Sequence, residues 1–209
     1  MANKKINNNG HEYVDLGLPS GTLWATCNVG ANEPSDYGLY FQWGDTEGHT
    51  ANEVGTEKWQ KKFAADWSDY KWRSNEDKKK FTKYGNKGVS IRLQADAARA
   101  TMGGNWHIPT PTQIKELLDN TTSYWLKMND VNGMKFISKK DSSKYLFIPA
   151  TGYAQNGKIH RSNDNVFLQT SKLSPGSIYC CGYAAFKFGF IYFGGSYRSN
   201  GLQVRAVIG

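Results

Sequence analysis

The sequence predicts an α+β domain: two short helices followed by a run of antiparallel strands. Three observations lead there. The chain is rich in aromatic residues and glycine (Trp 7, Tyr 12, Phe 10, Gly 22), and its apolar runs are short, which suits many strands and turns better than long amphipathic helices. Helix signals occur in two segments only, both between residues 96 and 118. From residue 125 onward, short apolar stretches alternate with turn residues, so the strands come late. At 209 residues the chain is near the upper range of one ordinary domain, and a single domain over 1–209 is expected.

Taken in order, Val14 to Leu18 and Leu23 to Val29 read as two strands joined by the turn Pro19-Ser20-Gly21-Thr22, a hairpin. Tyr37 to Trp43 alternates and is aromatic, a candidate third extended piece. Residues 48–94 turn polar, with Trp59, Trp67 and Trp72 spaced through them. They read as a long insertion that its tryptophans pin to the body. Asp96 to Met102 reads as a helix stopped by Gly103-Gly104, because glycine readily takes the left-handed conformation at a helix end. Thr112 is expected to cap a second helix, Gln113 to Leu118, with Ile114, Leu117 and Leu118 on one face. Strands follow at 125–128, 133–138, 145–150, 166–170, 177–183, 185–193 and 203–208.

The net charge of +8 is the kind that attracts phosphate. However, lysines supply most of it, and many fall in the polar stretches Lys58 to Lys87 and Lys135 to Lys144. A solvated face explains these better than nucleic acid does. Three cysteines, Cys27, Cys180 and Cys181, cannot build an even disulfide framework. The N-terminal residues carry no apolar segment of signal-peptide type, and no stretch reaches membrane-spanning length. Cytoplasmic synthesis without membrane insertion is expected, with attachment to a virion or cell surface left open.

Catalytic signatures are lacking. Of His11, His49, His107 and His160, none sits in a nucleophile motif, and His107 reads as a hydrogen-bonded, partly buried residue. No zinc or EF-hand spacing occurs. The oxygen-rich turns Asn32-Glu33-Pro34 and Asn163-Asp164-Asn165 read as surface punctuation. Gly103-Gly104 lacks phosphate-loop spacing. Neither an enzyme nor a cofactor is expected.

The last strands carry the most information. From Ser174 to Leu202 the chain is crowded with Tyr, Phe, Gly, Ser, Cys and Ala. Of Lys, Gln, Glu, Trp and Met only Lys187 occurs there, although these five types make up about a quarter of the remainder. Tyrosine, serine, glycine and asparagine are what binding loops use for rigid contact area and adaptable hydrogen bonds. With period two, Phe186, Phe188 and Phe190 would face inward, and Ala185, Lys187, Gly189 and Ile191 outward. A loop from Tyr192 to Asn200 would then expose aromatics together. Composition alone fits a binding surface and an ordinary aromatic core equally well.

Five ordered phrases span nearly the whole chain: Glu12 to Ala25 (EYVDLGLPSGTLWA), Tyr37 to Thr46 (YGLYFQWGDT), Asp96 to Ala100 with Gly104 to Thr110 (DAARA, GNWHIPT), Phe147 to Gly152 (FIPATG), and Gly201 to Val207 (GLQVRAV). In this order they resemble the Fibrobacter succinogenes major paralogous domain family common in Bacteroidetes. The resemblance implies a C-type-lectin-like fold of the formylglycine-generating-enzyme branch. It also implies a non-enzymatic ligand-binding role of receptor or adhesin type, directed at a protein or glycan on a cell surface. Members of this fold serve as variable proteins of diversity-generating retroelements, including those of phage. There, adenine-directed mutagenesis yields Tyr, Ser, Asn, Gly, Cys, Phe and Ala but not Lys, Gln, Glu, Trp or Met, the bias found in 174–202.

On this reading the candidate ligand contacts are Tyr179, Cys181, Tyr183, Lys187, Tyr192, Phe193, Tyr197, Ser199 and Asn200. Departures are visible too. Ile178-Tyr179-Cys180-Cys181 stands where relatives carry Tyr-Trp-Ser-Ser, and Lys187 would have to be a fixed template residue. Glu33-Pro34 is followed by Ser35, and Asn163-Asp164 lacks a preceding tryptophan, so calcium-dependent sugar binding does not carry over. Two alternatives stand beside the binding role: a structural module of a pilus or virion, and an oxidase using Cys180 and Cys181.

Overall fold

In a computed structural model, which describes residues 6–54, 56, 61–64, 66–77, 79–187 and 190–209, the N-terminal strands β1 (Ile6–Asn8), β2 (His11–Val14) and β3 (Leu23–Ala25) pair antiparallel. Tyr13 lies opposite Ala25 and Val14 opposite Trp24. The hairpin expected here exists with a longer connection. The chain leaves the ladder after Val14, since Asp15 Oδ1 accepts the Gly17 N–H at 2.8 Å and Gly17 takes φ +66°. Leu16 and Leu18 drop from that turn into the core. Of the expected extended piece 37–43, only β4 (Tyr40–Phe41) is strand, paired with β5 (Gly48–His49).

The polar stretch after it contains α1 (Ala51–Val54), turns, and a 3-10 turn at Leu93–Ala95. Trp72 donates its indole N–H to the Gly44 carbonyl at 2.7 Å, and Trp67 meets other rings edge-on, whereas Trp59 lies outside the described residues. Phe63 and Tyr70 are buried. Buried Asp45 pairs with Lys62 at 3.2 Å and Lys71 at 3.3 Å, a second tie between this stretch and the body.

Two longer helices follow. α2 (Ala97–Met102) begins where Asp96 accepts the Arg99 N–H and ends at Gly103, φ +70°. The other carboxylate oxygen of Asp96 accepts the Ile108 N–H at 2.9 Å, which ties the helix start to the next segment. α3 (Pro111–Asn120) starts earlier and runs longer than the Gln113–Leu118 expected, and its cap is Thr110, not Thr112. The Thr110 hydroxyl accepts the Gln113 N–H while the Gln113 amide oxygen accepts the Thr110 N–H, a reciprocal capping box with proline at the first helical position. Ile114 and Leu117 are buried as expected.

Beyond the helices, β6 (Thr121–Met128), β7 (Val131–Ser138) and β8 (Tyr145–Pro149) form one antiparallel sheet. The hairpin β9 (Tyr153–Gln155) and β10 (Lys158–His160) was not expected. A further antiparallel sheet comprises β11 (Val166–Leu173), β12 (Cys180–Lys187) and β13 (Phe190–Tyr197), in that order. The break expected near residue 184 is absent because small residues let β12 run through as a tightly covered central strand: Ala184 and Ala185 are fully buried, and a Cβ on Gly182 would lie 2.8 Å from Thr170 Oγ1. Of the strand expected over 203–208 only β14 (Val207–Ile208) forms, beside β3.

The main core lies between α3 and the two three-stranded sheets, with Phe136 and Phe186 edge-to-face at 5.3 Å. A neighbouring cluster joins α2, Trp106, Phe41 and the segment before β14. There Arg205 is fully buried, donating to Asn28 Oδ1 at 2.9 Å and to the Ala25 and Thr26 carbonyls. Burial lowers it to about 10. The observed class is therefore mixed α and β, mostly antiparallel, with few helices. Among the described residues, no helix is long and apolar enough to cross a membrane.

Candidate ligand-binding surface

In an antiparallel pair, residues directly opposite share a face. Tyr183, Ala185 and Lys187 of β12 therefore lie with Gly194, Tyr192 and Phe190 of β13, while Ala184 and Phe186 lie with Phe193 and Ile191. β12 is central and covered on both faces. β13 is the edge, and Phe190 (71 % exposed), Ile191, Tyr192, Phe193 and Tyr197 all stand in solvent. The expected inward row thus holds at Phe186 and fails at Phe190, because a strand with solvent beside both faces has no inner side. Phe188 and Gly189 lie outside the described residues.

Rings continue from β13 into the neighbouring hairpin. Tyr192 meets Tyr183 at 6.0 Å, Tyr183 meets Phe167 at 5.3 Å, Phe167 meets Tyr153 at 5.3 Å, and Tyr153 stacks on His160 at 5.2 Å. Gly194 makes room for this row, since a Cβ there would lie 2.8 Å from the Tyr183 hydroxyl. Burial pushes the Tyr183 hydroxyl up, so it stays a neutral donor.

An open cleft of about 750 Å³ follows the row, edged by Gln155, Asn200, Arg161 and Lys187. Gln155 donates to Asn200 Oδ1 at 2.9 Å, and the Asn200 amide donates to Ser196 Oγ at 2.9 Å. Asp164 sits between Lys187 at 3.2 Å and Arg161 at 3.7 Å. Asn165 also lines the cleft, and its buried Oδ1 has no hydrogen-bond partner among the described residues.

The polar stretch contributes the far wall. Trp67 meets Tyr179 at 6.1 Å and Tyr197 at 5.6 Å, and Phe81 meets Tyr179 at 5.6 Å. The Tyr179 hydroxyl donates to the Lys79 carbonyl at 3.2 Å. Beneath them Arg198 is fully buried, its guanidinium 3.4 Å from the Phe81 ring and donating to the Tyr84 carbonyl at 3.0 Å. Trp67 holds φ +68°, a backbone state uncommon for a bulky side chain, so its position is set by these contacts rather than by local preference.

Of the candidate contacts, Tyr179, Tyr183, Lys187, Tyr192, Phe193 and Tyr197 reach solvent, Phe193 on the face of the sheet opposite to Tyr192. Cys181 and Ser199 do not. Both are fully buried: Cys181 packs with Trp43 and Leu202 because β12 is covered there, and Ser199 lies beneath Gln42, whose amide donates to its carbonyl. Asn200 is buried as well, and it lines the cleft with its amide held by Gln155 and Ser196. Sequence reasoning missed Trp67, Phe81, Tyr153, Gln155, Arg161, Asn165 and Phe190. For Trp67 and Phe81 a signal existed, as aromatic residues within a polar stretch.

Among the described residues this arrangement offers ring faces, amides and cations, and no histidine or carboxylate lines the cleft beside Cys180 and Ser196. Burial pushes the Cys181 thiol up to about 12 and also raises that of Cys27, so neither is a thiolate at neutral pH. His107 is partly buried, with Nδ1 3.0 Å from the Asn105 carbonyl. Among the described residues no three His, Cys, Asp or Glu side chains gather as metal ligands would. Asp36 spends its carboxylate on the Asn32 and Glu33 N–H groups. No known family model, curated protein or solved structure matches the chain.

Proposed function

We propose that this chain is a non-enzymatic ligand-binding domain of receptor or adhesin type, with a C-type-lectin-like fold, whose contacts are displayed on β13 and the cleft beside it. One observation carries the reading. β13 holds no charged residue, yet it leaves Phe190, Tyr192, Phe193 and Tyr197 in solvent next to a continuous row of rings. Clusters of exposed aromatics of this kind mark interaction surfaces on otherwise polar proteins. The compositional bias of 174–202 falls on the same strands, which supports a variable protein diversified by a retroelement. A protein or glycan on a cell surface is the partner class that suits such a surface. The buried, protonated Cys181 speaks against an oxidase built on the adjacent cysteines.

The test is a pooled library substituted at Tyr183, Lys187, Tyr192, Phe193 and Tyr197, displayed on yeast, sorted first for folding and then on arrayed cell-surface proteins and glycans. Most variants should fold, and the array members bound should change from variant to variant. Loss of folding in most of the pool would make these residues core and end the reading.

A further inference from the structure

We infer that the free edge of β13 is itself a recognition element, which takes an extended, acidic segment of a partner protein as an added antiparallel strand. The inference rests on the reading of this surface as a ligand site, and adds the partner's conformation and charge.

Among the described residues β13 pairs only with β12. In an antiparallel ladder every second residue of such an edge turns both its N–H and its C=O away from its neighbour, so β13 presents a row of outward backbone groups, of which the Tyr197 carbonyl already accepts the Asn200 N–H at 2.9 Å. Edge strands normally carry a lysine, a proline or a bulge that blocks further pairing, and β13 (FIYFGGSY) has no charge, no proline and an unbroken register with β12.

A strand added to this edge would point its side chains alternately to the two faces of the sheet. A cleft waits on each. Tyr192, Phe190 and Lys187 border the first, of about 750 Å³. A second, of about 590 Å³, lies against Phe193, Leu173 and Lys172. Backbone pairing with a separate pocket for each alternate side chain is how strand addition obtains affinity and specificity.

Charge selects the occupant. Arg161 and Lys187 line the first cleft and Lys172 the second, no described carboxylate lines either, and Asp164 alone balances the first pair. A second copy of this chain, itself +8, would bring the same cations together across the new ladder. An acidic segment would be drawn in.

The experiment is selection from a random dodecapeptide phage library on the full chain. The best peptide is then synthesised unmodified, N-methylated on its odd residues, and N-methylated on its even residues. The expected peptides are rich in Asp and Glu. One methylated form should lose at least tenfold in affinity while the other stays within threefold, and binding should weaken as salt is raised. Equal binding by both methylated forms overturns strand addition and leaves a surface that works through side chains alone. No enrichment over an unrelated protein overturns it too. A chain that sediments as a dimer, and becomes a monomer with Phe193→Lys, overturns the peptide in favour of self-pairing. Edge-selective binding that is unchanged by both Tyr192→Ala and Phe193→Ala would instead sink the aromatic display reading.

Discussion

Replacing Phe186 by alanine, and in a separate protein Phe190 by alanine, removes the same ring from two strands of one hairpin with opposite expected results. Phe186 is fully buried against Phe136, with ring centroids 5.3 Å apart. Its loss combines transfer and cavity terms, about 3–5 kcal/mol. Phe190 is 71 % exposed, so under a third of its area can be lost to water. At about 1.5–3 kcal/mol for full burial, that fraction is worth roughly 0.5–0.9 kcal/mol. A chain of this length loses about 2–4 °C in Tm per kcal/mol, so Phe186→Ala should melt roughly 6–20 °C lower and Phe190→Ala no more than about 4 °C lower. Differential scanning calorimetry reads both values directly. If Phe190→Ala fell by 10 °C, or Phe186→Ala by less than 3 °C, the division of the hairpin into a scaffold strand and a display strand would be refuted.

Two further predictions concern how the polar stretch is held. Arg198→Ala removes the guanidinium from Phe81 and its hydrogen bond to Tyr84, and should cost about 2–4 kcal/mol and expose the lysines of residues 61–87 to trypsin. Arg198→Met keeps the stem and sheds a buried charge whose Nε and Nη2 have no hydrogen-bond partner among the described residues, so it should resist trypsin better than the alanine variant. For Asp45, burial pushes the carboxyl up, but Lys62, the Glu47 N–H and Lys71 outweigh it and hold it below its ordinary 3.8. A depressed folded value means the stabilisation is full above 3.8 and disappears as pH falls through the lower folded value. The Tm gap between wild type and Asp45→Asn should therefore be widest at pH 6–7 and close toward pH 3, and a gap independent of pH would exclude the ion pairs as its cause.

Elements with local signals were legible in the sequence, and those defined by distant partners were not. The start of α3 is written in Thr110, Pro111 and Gln113, yet Thr112 is the cap that the sequence reading chose, and the reciprocal bond of Gln113 gives that place to Thr110. The early hairpin was visible in its apolar residues, but its connection was misjudged, because the Asp15–Gly17 turn sends Leu16 and Leu18 inward as a loop. In the site, composition singled out the C-terminal aromatics of 174–202 but fitted a surface and a core equally well. Which aromatics show was not legible, since edge status depends on what pairs beyond the strand and period two presumes one buried face. Cys181 and Ser199 failed for a related reason: their cover comes from Trp43 and Gln42, far away in sequence. Trp67 does pin the polar stretch to the body. Its contact with Tyr179 and Tyr197, which makes the polar stretch a wall of the site, has no local signature.

The pairing of β3 with β14 has a consequence for the chain during synthesis. Trp24 meets its partner Val207 only when almost everything between them has left the ribosome, and Val29 and Phe41 likewise wait for Val204 and Leu202. At about 5–20 residues per second, that delay is roughly 10–40 s. Throughout it, the strand carrying Trp24 has an open side and an apolar face without its cover, a state that invites capture by chaperones or by neighbouring nascent chains. Closure by residues so far apart also places this fold among the slow folders, so its yield will depend on how well that interval is protected.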